Sequence, residues 1–238
     1  MTSEMLYHVK LTMVDFKNDA TGALQKVDIC GTYTNLAQAK TAAKSALIKS
    51  GYEETWFSVY DTRDASSEWT HGDGIFVYAK APEGETFTVS LETTPDTLGL
   101  KGNADGKVED KLYYVLQTTI HYNADRSGAR RDTSIEGTCT NFKDAKNVAV
   151  ACLLDEDVTK DSFVEFDEYS GQEDWAYGED ILVHAVGEEG ENYLIAVISK
   201  PWRAPEGLDM CAGASRQSGC NLLFSGFEVL ENRGISLA

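Results

Sequence analysis

The stretch WTHGDGIFVYA, from Trp69 to Ala79, returns 106 residues later as WAYGEDILVHA, from Trp175 to Ala185. The same offset holds without a gap from Leu6 to Val197. LYHV at Leu6 meets LYYV at Leu112, GTYTN at Gly31 meets GTCTN at Gly137, and EGE at Glu83 meets EGE at Glu189. About 26 of roughly 86 aligned pairs are identical, where unrelated chains of ordinary composition share about one in sixteen. The identities fall on turn glycines and apolar strand positions rather than in low-complexity runs. A tandem duplication follows, and it constrains the fold strongly: whatever one half adopts, the other adopts too, either as separate beads or as a fused dimer.

Each half reads as β-β-α-β-β-β. Leu6 to Phe16 and Leu24 to Thr34 are rich in Val, Ile, Thr and aromatic residues and are joined by a turn-forming KNDATGA, so a hairpin is expected. Asn35 and Asn141 then stand where a side chain can accept from the first free amides of a helix. Leu36, Ala39, Ala43, Ala46 and Leu47, matched by Phe142, Ala145, Ala149, Cys152 and Leu153, form one helical stripe for a sheet. Further strands are expected at 55–62, 74–81 and 86–92, and at 162–168, 180–187 and 192–199. The fold class is therefore α+β, with two mainly antiparallel sheets each covered by one helix. The expected organisation is a first repeat at 1–92, a linker at 93–110 rich in Gly, Asp and Asn, a second repeat at 111–199, and a C-terminal appendage at 200–238.

Side chains alternate along a strand, which makes the fourth strand informative. Ile75, Val77 and Ala79 are identical to Ile181, Val183 and Ala185, as expected under a helix. The alternate positions differ, with Phe76 against Leu182 and Tyr78 against His184, yet all four are large. In the first strand His8 pairs with Tyr114 in the same way. A large, largely apolar second face implies a cover, so the two sheets are expected to pack on each other about a pseudo-two-fold axis. The seam is then the expected ligand site, lined by His8, Phe76, Tyr78, Tyr114, Leu182 and His184. His8, Tyr78, Tyr114 and His184 are also the candidate acid/base set, because His and Tyr can donate and accept protons in one cavity.

Charge narrows the partners. A formal charge of −18, from 39 acidic against 21 basic residues, repels phosphate backbones and anionic lipid, so neither nucleic acid nor membrane is an expected partner. No basic and apolar leader opens the sequence, and the five cysteines show no CxxC spacing, which fits a reducing cytoplasm. Cys211 and Cys220 alone lie close together. The loop acids Glu68, Asp73, Glu173, Asp174, Glu179 and Asp180 follow no EF-hand order, so no metal is expected. Trp69 and Trp175 are expected to anchor their loops. No phosphate-binding glycine loop, HExxH or GxSxG occurs, and no organic cofactor is implied.

The segments LYYVLQTTIHYNADRSGARRDTSIEGTCTNFKDA and WAYGEDILVHAVGEEGENYLIAV resemble those of small uncharacterised proteins of filamentous fungi. That resemblance covers both repeats and implies an intracellular fungal protein tied to specialised metabolism, with no catalytic residue to carry over. The expected function is a non-catalytic binding protein, monomer or homodimer, that holds a small apolar or aromatic molecule or a peptide at the seam. A cofactor-independent acid/base isomerase or cyclase and a protein-interaction module are the alternatives.

Overall fold

A computed structural model describes residues 5–64, 68–171 and 174–199. The appendage at 200–238, with Cys211 and Cys220, and the loop residue Glu173 lie outside the described residues. Ten strands form two five-stranded antiparallel sheets. The first contains β1 (Met5–Val14), β2 (Gln25–Tyr33), β3 (Val59–Thr62), β4 (Ile75–Lys80) and β5 (Thr86–Pro95), in the order β2-β1-β5-β4-β3. The second contains β6 (Tyr113–Ile120), β7 (Arg131–Cys139), β8 (Glu165–Glu168), β9 (Ile181–Val186) and β10 (Asn192–Ile198), in the order β7-β6-β10-β9-β8. Among the described residues no helix is long and apolar enough to cross a membrane.

The two sheets agree in register as well as in order. Tyr7 pairs with Tyr33 and Val14 with Gln25, while Tyr113 pairs with Cys139 and Ile120 with Arg131. Each sheet has a bulge in its second strand, at Cys30 and at Glu136, and another in its fourth, at Phe76 and at Leu182. A bulge bends and twists its strand and is a designed feature of a sheet, so its recurrence at equivalent positions carries more weight than shared strand order.

A helical run follows the second strand of each sheet: α1 (Leu36–Lys44) with the short α2 (Ala46–Lys49), and α3 (Phe142–Ala151). The Asn35 side chain accepts from the amides of Ala37 and Gln38, and the Asn141 side chain accepts from Asp144, as the sequence predicts. Ala39 and Ala43, and likewise Ala145 and Ala149, are wholly buried; small side chains let each helix lie close on its sheet. Beneath α1 lie Val77, Val89 and Phe87 with Tyr52 and Phe57; beneath α3 lie Val115, Val183 and Ile195. The stripe is one residue shorter than expected in each copy. Leu36 is 41% and Phe142 48% exposed, because the first turn projects beyond the sheet.

The fourth-strand faces also depart from simple alternation. Leu182 packs with the α3-side core while Ile181 belongs to the cluster between the sheets, and Phe76 packs on the α1-side core. The bulge supplies the reason, since an extra residue at 76 and 182 breaks the period of two, so that Phe76 and Leu182 do not line the seam.

The sheets meet directly. Val27 and Ile29 of β2 pack with Leu116 of β6, Ile135 of β7, Ile181 of β9 and Ala196 of β10. The segment joining the repeats is ordered: β5 continues to Pro95, Val108 donates its amide to the Thr32 carbonyl, and Leu100, Val108 and Leu112 close over the same cluster. It pairs with the last residues of β2 through a bridge between Tyr33 and Lys107, which occupies that end of the strand's outer edge.

Candidate functional site

The seam is filled by side chains. His8 is fully buried, with Nδ1 2.9 Å from Thr32 Oγ1 and Nε2 2.8 Å from Thr94 Oγ1. Burial lowers its pKa to about 4, against a smaller opposing pull from Glu92. The Tyr114 ring stands edge-on to it, 5.8 Å away, and the Tyr114 hydroxyl reaches Thr32 Oγ1 at 2.8 Å. Beside them Lys10 pairs with Glu92 at 2.6 Å and donates to the Thr133 carbonyl, while Glu92 accepts the Ile135 amide. Lys10, Glu92 and the Thr32–Tyr114 hydroxyl pair reach across to the other sheet, whereas both ring nitrogens of His8 are held by threonines of its own sheet. A general base needs access to its substrate, and His8 has none.

Tyr78 and His184 lie elsewhere. Tyr114 pairs with Ile198 of β10 and His184 with Leu194 of the same strand, so the two rings are two strands and four residues apart, about 16 Å. The four rings proposed as an acid/base set do not converge. Instead Tyr78 and His184 each build a cluster with residues of their own sheet. In the first sheet the His71 ring stacks on Tyr78 at 4.2 Å, Trp69 stands edge-on to His71 at 4.8 Å, and His71 Nε2 meets Asp61 Oδ2 at 2.8 Å. In the second, Tyr177 stacks on His184 at 4.1 Å, Trp175 stands edge-on to Tyr177 at 4.9 Å, and Asp167 Oδ2 accepts from the Tyr177 hydroxyl at 3.3 Å. His and Tyr have exchanged places between loop and strand, while the Trp and the Asp hold theirs.

Local sequence explains the assembly. Asp61 is the cross-strand partner of Tyr78, and Asp167 of His184, so each carboxylate projects from the edge strand on the same face as the ring. The loop before β4 or β9 then folds its ring over, pinned by the indole N–H of Trp69 on the Gly72 carbonyl and of Trp175 on the Ile181 carbonyl. Among the described residues, the loop acids Glu68, Asp73, Asp174 and Glu179 make none of these ring or indole contacts. Asp167 carries more company than Asp61: Glu165, two residues earlier on β8, brings a second carboxylate, and Val59 occupies that position in the first sheet. The Tyr177 hydroxyl registers this, its pKa being pushed up to about 12 by burial and then by Asp167 and Glu165.

Other groups are less suited to chemistry. Cys30, Cys139 and Cys152 are free thiols, and burial raises all three, Cys30 and Cys152 to about 12, far from a reactive thiolate. An open concavity of 340 Å³ lies over α1 between Lys40, Thr41, Lys44, Arg63, Asp64 and Phe76, and a closed gap lies by Leu11, Met13, Lys26 and Asp28; neither is between the sheets. Asp61, Asp167, Glu165, His71 and Tyr177 were not singled out from sequence as a group. The signal available was the EFD of β8 against the VYD of β3, acids on alternate residues of a strand facing a repeated ring position. No protein family, curated protein or solved structure matches this chain.

Proposed function

We propose that the protein is a non-catalytic binding protein made of two fused copies of one α+β module, closed by a pseudo-two-fold seam that is structural. Its ligands are taken at the two aromatic–carboxylate clusters. The observation that carries this is the recurrence of a Trp, a stacked His–Tyr pair and an Asp at matching places in both sheets, with their order partly exchanged but their chemistry kept. Half-buried rings beside an exposed carboxylate suit a cationic group, which gains from ring faces and from the acid together, and a net charge of −18 raises the local concentration of cations. The ligand is therefore a small organic cation or a basic peptide side chain, rather than an apolar molecule within the seam. The packing around His8 and Tyr114 counts against a ligand chamber there, and the distance between the rings counts against the isomerase alternative.

Titration with tetramethylammonium at low ionic strength, followed by amide chemical shifts, tests the proposal. Shifts are expected at Trp69–Tyr78 and Trp175–His184, with a dissociation constant of about 1 mM, and are lost in Asp61→Asn and Asp167→Asn respectively. Shifts scattered over the surface, or concentrated around His8, refute it.

A further inference from the structure

The second cluster differs from the first in a way that alters what it can hold. Among the described residues, one ligand atom each from Glu165, Asp167 and His184 lie within 4.8 Å of one another. The imidazole is held from behind, with His184 Nε2 3.1 Å from the Asn192 side-chain Oδ1. The other ring nitrogen, Nδ1, faces Asp167 Oδ2 at 3.5 Å. One imidazole nitrogen and two carboxylates thus converge on one place at the edge of the second sheet. No Lys or Arg among the described residues pairs with Glu165 or Asp167.

We infer that Glu165, Asp167 and His184 Nδ1 form a site for a divalent metal ion of the zinc type. One imidazole and two carboxylates are a ligand set that such ions accept, and the two negative charges neutralise the ion. Donation of the far ring proton to an acceptor, here Asn192, is the usual support of a metal-bound histidine. Tetrahedral ligands on zinc stand about 3.3 Å apart, so the three atoms need to draw in by roughly 1.5 Å at most, which the exposed carboxylates of Glu165 and Asp167 reach by side-chain rotation. His184, with 7% of its side chain exposed, stays fixed, and the Tyr177 ring stacked on it shields one flank. A fourth position remains open toward solvent for water or a ligand atom. The first sheet cannot form this site, since Val59 stands for Glu165 and Tyr78 for His184, and His71 is already engaged by Asp61. One metal ion per chain is therefore expected.

This assignment shares its location with the binding function proposed above but does not depend on an organic cation as ligand. The full chain carrying Cys211→Ser and Cys220→Ser, which removes the thiols of the appendage, is titrated calorimetrically with zinc chloride at neutral pH, and the histidine ring nitrogens are followed by NMR. One equivalent should bind in the micromolar range, with the His184 Nδ1 resonance moving to a metal-bound position. Glu165→Val, which copies the first sheet at an exposed site and leaves the fold intact, should weaken binding at least about tenfold, and Asp167→Asn at least as much. Asp61→Asn should change nothing. Zinc affinity that survives both Glu165→Val and Asp167→Asn overturns the assignment, as does an Nδ1 that stays protonated at saturating zinc or a chain that takes up none. Zinc uptake without any response to tetramethylammonium upholds the metal site while discarding the organic-cation ligand, and the converse result does the reverse.

Discussion

Asp28, paired across from Leu11 on the α1 side of the first sheet, and His8, in the seam, are both buried with their protonation shifted in opposite senses, and replacing Asp28 by Asn should separate them. Asp28 lies on β2, 8% exposed; burial lifts its carboxyl to about 6, against a downward pull from Lys26 and with a smaller upward push from Asp180. A folded-state pKa raised from 3.8 to about 6 means that the ionised form weakens the native state above pH 6 by about 3 kcal/mol, which is recovered as the pH falls toward 4. His8 behaves oppositely. Its pKa falls from 6.5 to about 4, so its contribution is whole above pH 6.5 and about 3 kcal/mol is lost as the pH drops to 4, because the unfolded chain takes the proton first. The two windows overlap and nearly cancel.

The wild-type protein should therefore show little net slope from these groups between pH 6.5 and 4. Urea unfolding at intervals from pH 7.5 to 4.5 measures the difference. Asp28→Asn should be more stable than wild type by up to about 3 kcal/mol at pH 7.5, and should lose that advantage on acidification at close to 1.4 kcal/mol per pH unit. His8→Tyr, which installs the residue found at position 114, should show the mirror image and gain stability as acid is added. Two parallel curves for wild type and Asp28→Asn, separated by the same amount at every pH, refute the opposed titration outright.

Thr32 and its counterpart Thr138 give a sharper packing test: Thr32 Oγ1 serves both His8 and Tyr114, whereas Thr138 Oγ1 is buried without a partner. Thr32→Val should cost about 2 kcal/mol in urea unfolding and Thr138→Val nothing, or a slight gain, because only the first leaves polar groups stranded. Gly128 adopts φ +76° in the β6–β7 hairpin, and a Cβ there would lie 2.9 Å from the Tyr122 ring, so Gly128→Ala should lower stability by about 1–2 kcal/mol. Asn35→Ala removes the acceptor for two amides of α1 and should cost about 1 kcal/mol, read from the same transition.

The succession of strands along the chain and the helix placement were legible because they depend on local signals that occur twice, whereas the order of strands within each sheet was not read from the sequence. The Asn caps at 35 and 141, the turn glycines and the buried alanines each belong to a short window, and the second copy repeats the first. The meeting of the sheets was legible only in part: His8 and Tyr114 do face each other there, whereas Tyr78 and His184 are stacked under loops of their own sheets. Leu36 and Phe142 were misplaced because periodicity fixes the side of a helix but not where the sheet beneath it stops.

The candidate site was harder to see, and the cause is one extra residue per sheet. Alternation assigns Ile181 to the helix side and Leu182 to the seam; the bulge at Leu182 reverses both and then restores Val183, His184 and Ala185 to the expected rhythm. No composition signal marks such a residue, because a bulge is fixed by twist and pairing across the sheet rather than by propensity. Its effect reaches the chemistry. With Ile181 turned into the seam, its carbonyl holds the Trp175 indole, the loop from Trp175 lays Tyr177 on His184, and the ring is fixed against Asp167. Placing Glu165, Asp167 and His184 together needs the pairing of β8 with β9 as well, a long-range fact that a single sequence does not state. What the sequence did carry was the asymmetry, Glu165 against Val59 and His184 against Tyr78. Where two similar modules share a scaffold, such differences are where one can carry chemistry that the other lacks.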